Sequence, residues 1–415
     1  MTNIAILGFG VVGGGVADVI ATNNETIARK TGEHINIKYI LDLREFPDHP
    51  LGGRVVHDMN IILADPEVTV VAEMMGGAHP AYDYTRAALE AGKHVVTSNK
   101  EVVATFGAEL LRIAKEHHVR YLFEASVGGG IPVIRPMSSC LAANELSEVD
   151  GILNGTTNYI LTQMIRAGKT FEEALAEAQE KGYAERNPAA DVEGTDACRK
   201  ICILSALAFG RLYAPSSVHT EGITAVTAQD VADAEALGGV IKLIGRAGRM
   251  NPADPSSDVF MLVSPHVIPH ENPLSCVDDV FNAILVRGNA VGDVMFYGRG
   301  AGNLPTASAV VADIIDILTH KDAEIFVPDW ESADCAPADY TALPYAFLCR
   351  IQTAASYRDT VSALRAVYAD VELLTAEDAF DGTAAFVTPV TTEAAVRDAL
   401  ASIGTITSLL RVMPQ

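Results

Sequence analysis

Short runs of β-branched and aliphatic residues alternate with amphipathic stretches through the first third of the chain. The runs 4–7, 35–41, 68–75, 94–98 and 119–125 predict strands. Between them, residues 82–91, stopped by Gly92, and residues 101–117, with Val102, Phe106, Leu110 and Ile113 on one face, carry the 3.6-residue period of helices. Strand and helix in alternation give βαβ units, and right-handed crossovers wind them into a doubly wound parallel sheet of the Rossmann type. The class expected is therefore α/β.

The rhythm breaks twice. Glycines and prolines crowd residues 126–136 (Ser-Val-Gly-Gly-Gly-Ile-Pro-Val-Ile-Arg-Pro), which sets a domain boundary near residue 130. Proline and aspartate crowd residues 322–343, which read as a linker. After it, strands at 345–352, 371–375, 384–388 and 406–412 and helices at 360–368 and 393–403 give a βαββαβ order, that of a small ferredoxin-like unit. The expected division is a nucleotide-binding domain over 1–130, on which a helix at 303–320 packs back, an α+β domain over 131–320, a linker over 321–343 and a C-terminal domain over 344–415.

Composition narrows the partners. The chain has 415 residues, 30 Lys plus Arg against 53 Asp plus Glu and a net charge of −23, which opposes nucleic acid and anionic membranes, whose binding needs a basic footprint. No apolar stretch reaches the roughly 18 residues of a membrane span, and the N-terminus carries no basic n-region or cleavage site. The six cysteines are scattered without C-x-x-C or zinc spacing. Cys198 and Cys202 read as small core residues, and His117-His118 as a helix end. A cytoplasmic protein with reduced thiols and a small-molecule partner is expected.

Gly8-Phe9-Gly10-Val11-Val12-Gly13 follows the first strand and opens a helix. The first glycine allows the turn, the second admits a pyrophosphate, the third lets helix meet strand, and the anion sits at the helix N-terminus. An ordinary glycine-rich turn is the competing reading, and the strand–turn–helix context favours a dinucleotide. Asp42 lies 29 residues beyond Gly13, against the usual ~20, and Arg44 follows it. An acid there suits the ribose of NAD and an arginine the phosphate of NADP, so both cofactors stay open. Thr97-Ser98-Asn99-Lys100 closes the fourth expected strand and places Lys100 at the ligand-binding edge of the sheet. The competing reading is a solvated lysine, although a helix dipole disfavours that position.

Asp196 and Lys200, spaced i and i+4, share a helix face, and the ten residues after Lys200 carry no charge, so that helix is expected to be buried. Burial lowers a lysine pKa while a carboxylate raises it, a balance suited to proton transfer. An exposed ion pair is the alternative. Gly151-Ile-Leu-Asn154-Gly155-Thr156-Thr157-Asn158 offers donors for a carboxylate, or an ordinary helix cap. Tyr297-Gly-Arg-Gly-Ala-Gly302-Asn-Leu-Pro-Thr306 is a second glycine loop before a helix at 307–318, placed to face the cofactor with Gly302.

Together with Glu73-Met-Met-Gly-Gly77, Glu124-Ala-Ser-Val-Gly128 and Gly182-Tyr-Ala-Glu185, these motifs resemble homoserine dehydrogenase in order and spacing over about residues 1–320. The resemblance implies reversible NAD- or NADP-dependent interconversion of L-aspartate 4-semialdehyde and L-homoserine, on the way to threonine, methionine and isoleucine. It implies Lys200 as the acid–base residue, Asp196 as its partner and Lys100 at the nicotinamide. It also implies Glu185 and Asp191 on the substrate ammonium, with Thr156 and Tyr183 completing the pocket. Further implications are a sodium ion on backbone oxygens near Glu124, Val127, Gly129 and Ile131, and a dimer sheet in the second domain, hence a homodimer or homotetramer. The tail resembles an ACT regulatory domain of the kind that binds threonine. Its first turn, Ala354-Ala-Ser-Tyr-Arg-Asp-Thr360, lacks the D-x-P-G often found there. Two rivals are another dehydrogenase on the same fold and a nucleotide- or amino-acid-sensing regulatory protein. The Asp196–Lys200 pair opposes the first, and retention of both lysines opposes the second.

Overall fold

The first strand, β1 (Thr2–Leu7), is apolar at every position from Ile4 on, and Ile4, Ala5, Ile6 and Leu7 are wholly buried. A strand covered on both faces reads as a continuous apolar run rather than an alternating one. It lies inside a six-stranded sheet with β2 (Ile35–Leu41), β3 (Val55–Val56), β4 (Val68–Glu73), β5 (His94–Thr97) and β6 (Tyr121–Leu122), in the order β3-β2-β1-β4-β5-β6. Every pairing is parallel. Because the order turns outward in both directions from β1 and β4, their carboxyl ends form the switch point where such sheets bind ligands. The helix Val11–Thr31 shares a core with the far later helix Asn303–Thr319 and with Ile4, Ile6, Val70 and Val96. Ala81–Glu90 and Lys100–Glu116 pack on each other through Tyr82 and Phe106, with ring centroids 4.2 Å apart.

The structure is a computed structural model that describes residues 1–321, 323 and 328–414. The chain divides into two compact units that interleave in sequence. One comprises Met1–Val149, Arg199–Ser217 and Val286–Ala336, and the other Asp150–Cys198, Val218–Leu285 and the residues from Pro337 on. Within residues 1–125 two elements escaped the sequence pattern, β3 and the short helix Met59–Ala64, because two valines after a Gly- and Pro-rich loop carry no period. Thr97-Ser98-Asn99-Lys100 therefore follows the fifth strand and not the fourth. The last strand also shrinks from 119–125 to Tyr121–Leu122, since Glu124–Ser126 turns into a 3₁₀ helix. Of the expected linker 321–343, residues 322 and 324–327 lie outside the described residues. Within its remainder, Glu331–Ser332 pairs in parallel with Arg211–Leu212.

The second sheet is mixed. It runs Gly292–Arg299, Phe281–Gly288, Leu146–Ile152, Gly239–Arg249, Val259–Pro269, Thr405–Val412, Ala346–Gln352, Thr383–Val387 and Glu372–Leu373, with His219–Thr220 beside Val259–Pro269. At its centre Gly239–Arg249 and Val259–Pro269 pair antiparallel along their whole length. The tail has the βαββαβ order expected, with helices Tyr357–Val367 and Glu393–Leu400. Its last strand joins Val259–Pro269 through His266 opposite Arg411 and Val267 opposite Val412, so the tail extends that sheet.

Candidate active site

Gly8 and Gly13 each have a steric reason to be glycine. Gly8 has φ +86°, and a Cβ there would stand 3.0 Å from Met74 O. At Gly13 a Cβ would stand 2.1 Å from Gly8 O, so only glycine lets the helix close on the strand. At Gly10 a Cβ would meet nothing within 4 Å. That opening lies at the first turn of Val11–Thr31, whose N-cap is Gly10 and which no side chain caps. Free helix-start N–H groups beside an open glycine fit a pyrophosphate. Phe9 differs from its neighbours, since its ring is buried edge-on against Phe46 and His49 and its N–H is spent on Asp42 Oδ2 at 2.8 Å. Val11 is exposed and borders the opening.

Asp42, just past β2, also accepts from Arg44 N, Nε and a terminal guanidinium nitrogen, each at 3.0 Å. The Arg44 guanidinium holds the Asp42 carboxyl well below the usual carboxylate range. The same guanidinium donates to Phe9 O at 3.2 Å and lies over the Phe46 ring. Acid and arginine therefore stand together just past β2, both bonded to the backbone of the glycine turn at Phe9.

At the ends of β4 and β5 the backbone is tied by side chains. Glu73 Oε1 accepts from Met75 N at 2.6 Å and Oε2 from Thr97 Oγ1 at 2.7 Å. Thr97 Oγ1 in turn accepts from Asn99 N at 2.9 Å. Asn99 caps Lys100–Glu116 by accepting from Val102 N at 3.2 Å, and its amide donates to Met75 O and Gly77 O. Lys100 is thus the first residue of a capped helix, half-buried. Glu101 Oε1 pairs with the Arg199 guanidinium at 3.2 Å. That bond joins the sequence neighbours of Lys100 and Lys200, so two lysines far apart in the chain stand on helix turns fastened together. Lys200 is 6% exposed, and Ile201–Ala206 after it are wholly buried, as the uncharged run requires. Cys198 and Cys202 are buried in the same helix.

In the second unit, Asn154 caps Gly155–Ala167 by accepting from Thr157 N at 2.9 Å. Its amide donates to Asp191 Oδ1 at 2.7 Å and Asp196 Oδ2 at 2.9 Å. One side chain therefore draws two expected site carboxylates together. The sequence offered Asn154 to a donor turn or a helix cap, and the cap forms, whereas nothing in spacing reveals a clamp across 42 positions. Thr156 Oγ1 donates to Tyr183 O at 2.7 Å, and the Tyr183 ring stands edge-on to Tyr159, with centroids 5.0 Å apart. Glu185 is exposed and its carbonyl accepts from Gln179 at 3.1 Å.

Gly302 has φ +128° and opens the helix Asn303–Thr319, within a residue of the 303–320 expected for the helix that packs back and four residues before the start at 307 read after the glycine loop. Its neighbour Asn303 sits so close to Gly15 that a Cβ there would fall 1.9 Å from Oδ1. The Glu124 carboxylate accepts from Val133 N, Ile134 N and Arg135 N. The carbonyls of Val127, Gly129 and Ile131 belong to buried residues of one tight turn. Such oxygens fit a hard cation. No group of acidic, histidine or cysteine side chains fit to hold a metal occurs among the described residues.

An open glycine turn at the switch point of a doubly wound parallel sheet, with an acid–arginine pair just past its second strand, fits a nicotinamide dinucleotide, so the fold and this site point to the class of NAD(P)-dependent oxidoreductases. A family model described as "Homoserine dehydrogenase, NAD binding domain" matches residues 8–124, and one described as "Homoserine dehydrogenase" matches 132–315. The homoserine dehydrogenase of Pseudomonas aeruginosa is 41% identical over 357 residues, 84% of this chain and 81% of that protein. That of Bacillus subtilis is 39% identical over 347 residues, 82% of this chain and 79% of that one. The crystal structure of a homoserine dehydrogenase from Thiobacillus denitrificans superposes with a TM-score of 0.89 at 34% identity, covering 99% of this chain and 98% of that one. A hyperthermophilic archaeal homoserine dehydrogenase in complex with NADPH gives a TM-score of 0.63 at 28% identity, covering 76% and 97%. The chain belongs to the homoserine dehydrogenase family. Its reaction is the reversible NAD(P)-dependent interconversion of L-aspartate 4-semialdehyde and L-homoserine.

Proposed function

We propose that Lys200 is the acid–base residue of this reaction, with Asp196 as its partner and Lys100 beside the nicotinamide. The observation that carries the reading is the Glu101–Arg199 ion pair, which fastens the turn of Lys100 to that of Lys200. The cofactor, when bound, supplies or accepts a hydride. Lys200 takes the proton of the homoserine hydroxyl in the oxidative direction and returns one to the forming alkoxide in the reductive direction. Lys200 is 6% exposed, so its amine would meet the substrate hydroxyl away from bulk water. Asp191 and Glu185 bind the substrate ammonium, Thr156 and Tyr183 complete the pocket, and Asn154 holds Asp191 and Asp196 in place. Gly8, Phe9, Gly10, Val11, Val12, Gly13 and Gly302 line the dinucleotide. Backbone oxygens of Glu124, Val127, Gly129 and Ile131 hold a sodium ion.

The domains in this reading are the nucleotide-binding part over 1–130, the substrate and dimerisation part over 131–320 and an ACT-like regulatory part over 344–415. Exposed Met295 and Tyr297 on the edge strand Gly292–Arg299 support a homodimer or homotetramer. Among the described residues no helix is long and apolar enough to cross a membrane, and the scattered cysteines suit a cytoplasmic enzyme. Nicotinamide absorbance with homoserine and each cofactor tests the roles. Lys200→Ala is expected to lower kcat by about 10²- to 10⁴-fold, and full activity in that variant overturns the assignment. Added threonine is expected to slow the unsubstituted enzyme, and an unchanged rate overturns threonine binding by the tail.

A further inference from the structure

Glu73 is the last residue of β4, opposite Leu7 of β1 on one side and Thr97 of β5 on the other. It therefore sits at the carboxyl end of the two strands flanking the switch point, where the nucleotide binds. It is wholly buried. A carboxylate there is costly to desolvate, and an apolar residue would pack at lower cost. Its two oxygens serve two different segments. Oε1 holds the N–H of Met75 in the turn after β4, and Oε2 holds the hydroxyl of Thr97 at the end of β5. Thr97 passes the constraint on to Asn99, which caps the helix beginning at Lys100 and returns two amide bonds to the Met75–Gly77 turn. The ring closes on itself as Glu73, Thr97, Asn99 and the turn 75–77. The turn also walls the first glycine, since a Cβ on Gly8 would reach Met74 O.

We propose that Glu73 is a positioning residue of the dehydrogenase, setting the distance between the turn 75–77 and the first turn of the Lys100 helix and thereby where the nicotinamide ring lies relative to Lys100. The inference rests on the reading that places Lys100 beside the nicotinamide. Burial pushes the Glu73 carboxyl up to about 7 against the hydrogen bonds that favour its charge, and both donors it meets, an N–H and an O–H, suit the ionised form, which only accepts. Glutamine of the same shape keeps the bond from Met75 but offers N–H to Thr97. The threonine hydroxyl, already accepting from Asn99, then loses its acceptor. The glutamine variant thus breaks the relay without emptying the site.

The test compares Glu73→Gln, Thr97→Val and the double variant, reading kcat, KM for homoserine and the dissociation constant of ADP-ribose, a cofactor fragment without nicotinamide. Expected are a loss in kcat approaching roughly 10²-fold, little change in KM, unchanged ADP-ribose binding, and a double variant no worse than the singles, as for two links in one relay. An unchanged kcat overturns the proposal, and so does ADP-ribose binding that weakens in step with kcat, the mark of general loosening. Thr97→Val carries the test alone should Glu73→Gln not fold. Lys100→Ala, measured in parallel, separates the two readings. Full activity there removes Lys100 from the reaction, whereas loss there with full activity in Glu73→Gln removes only the positioning role.

Discussion

Asp42 uses both of its oxygens within its own chain, on Phe9 N–H and on Arg44. An adenosine 2′-phosphate arriving there meets a carboxylate first and profits from Arg44 only if the guanidinium turns outward, which its 61% side-chain exposure permits. A 2′-hydroxyl needs only the carboxylate. Arg44→Ala is therefore expected to raise KM for NADP⁺ by roughly ten-fold while leaving that for NAD⁺ nearly unchanged, the least expected of a lost charge-assisted bond. Equal shifts for both cofactors in steady-state assays would count against this. Residues of this kind were legible in sequence in proportion to their backbone demands. Gly8 and Gly13 announce themselves, because no other residue fits their geometry. Asn154 and Glu73 act through partners dozens of residues away, and no local spacing records that.

At the scale of elements, β5 and β6 are stitched by a side chain as well as by their ladder. His94 Nδ1 accepts from Arg120 N at 2.9 Å, a bond only the neutral ring can make. Burial first, then the Arg120 charge, push the His94 pKa down from 6.5 to about 4. An unfolded histidine takes up its proton near pH 6.5. The stabilisation is thus complete above that value and is lost as pH falls toward 4, a drop on the order of 2 kcal/mol by pH 5. Urea midpoints at pH 7 and pH 5 check it, since His94→Asn keeps an acceptor that does not titrate and should lose less. An identical drop in both proteins would show that His94 plays no part. The long elements here were legible: apolar runs mark β1, β2 and β4, and the period in residues 101–117 matches Lys100–Glu116 within a residue. The pair Val55–Val56 was not, because its strand character comes from pairing with Ile40 and Leu41.

In the molecule as a whole, the tail is built into the second unit. Arg411, 3% exposed, donates to Glu221 and Ser264 at 3.0 Å each and pairs with Glu393. Breaking a buried pair leaves its partners uncompensated. Arg411→Met should lower stability by about 3–5 kcal/mol, and Arg411→Met with Glu393→Leu should recover part of it. Calorimetry showing no loss in the single variant would refute the cost. Sequence order gave the tail its βαββαβ form, but not its place in the sheet, because parallel pairing with Val259–Pro269 has no local signature. The core shared by Val11–Thr31 and Asn303–Thr319 also bears on how the protein is made. A ribosome adds some 5–20 residues per second, so the apolar flank of the first helix waits on the order of ten seconds or more for its partner to be synthesised. A nascent chain cut short before residue 303 should therefore be a customer for chaperones, while the finished protein is not.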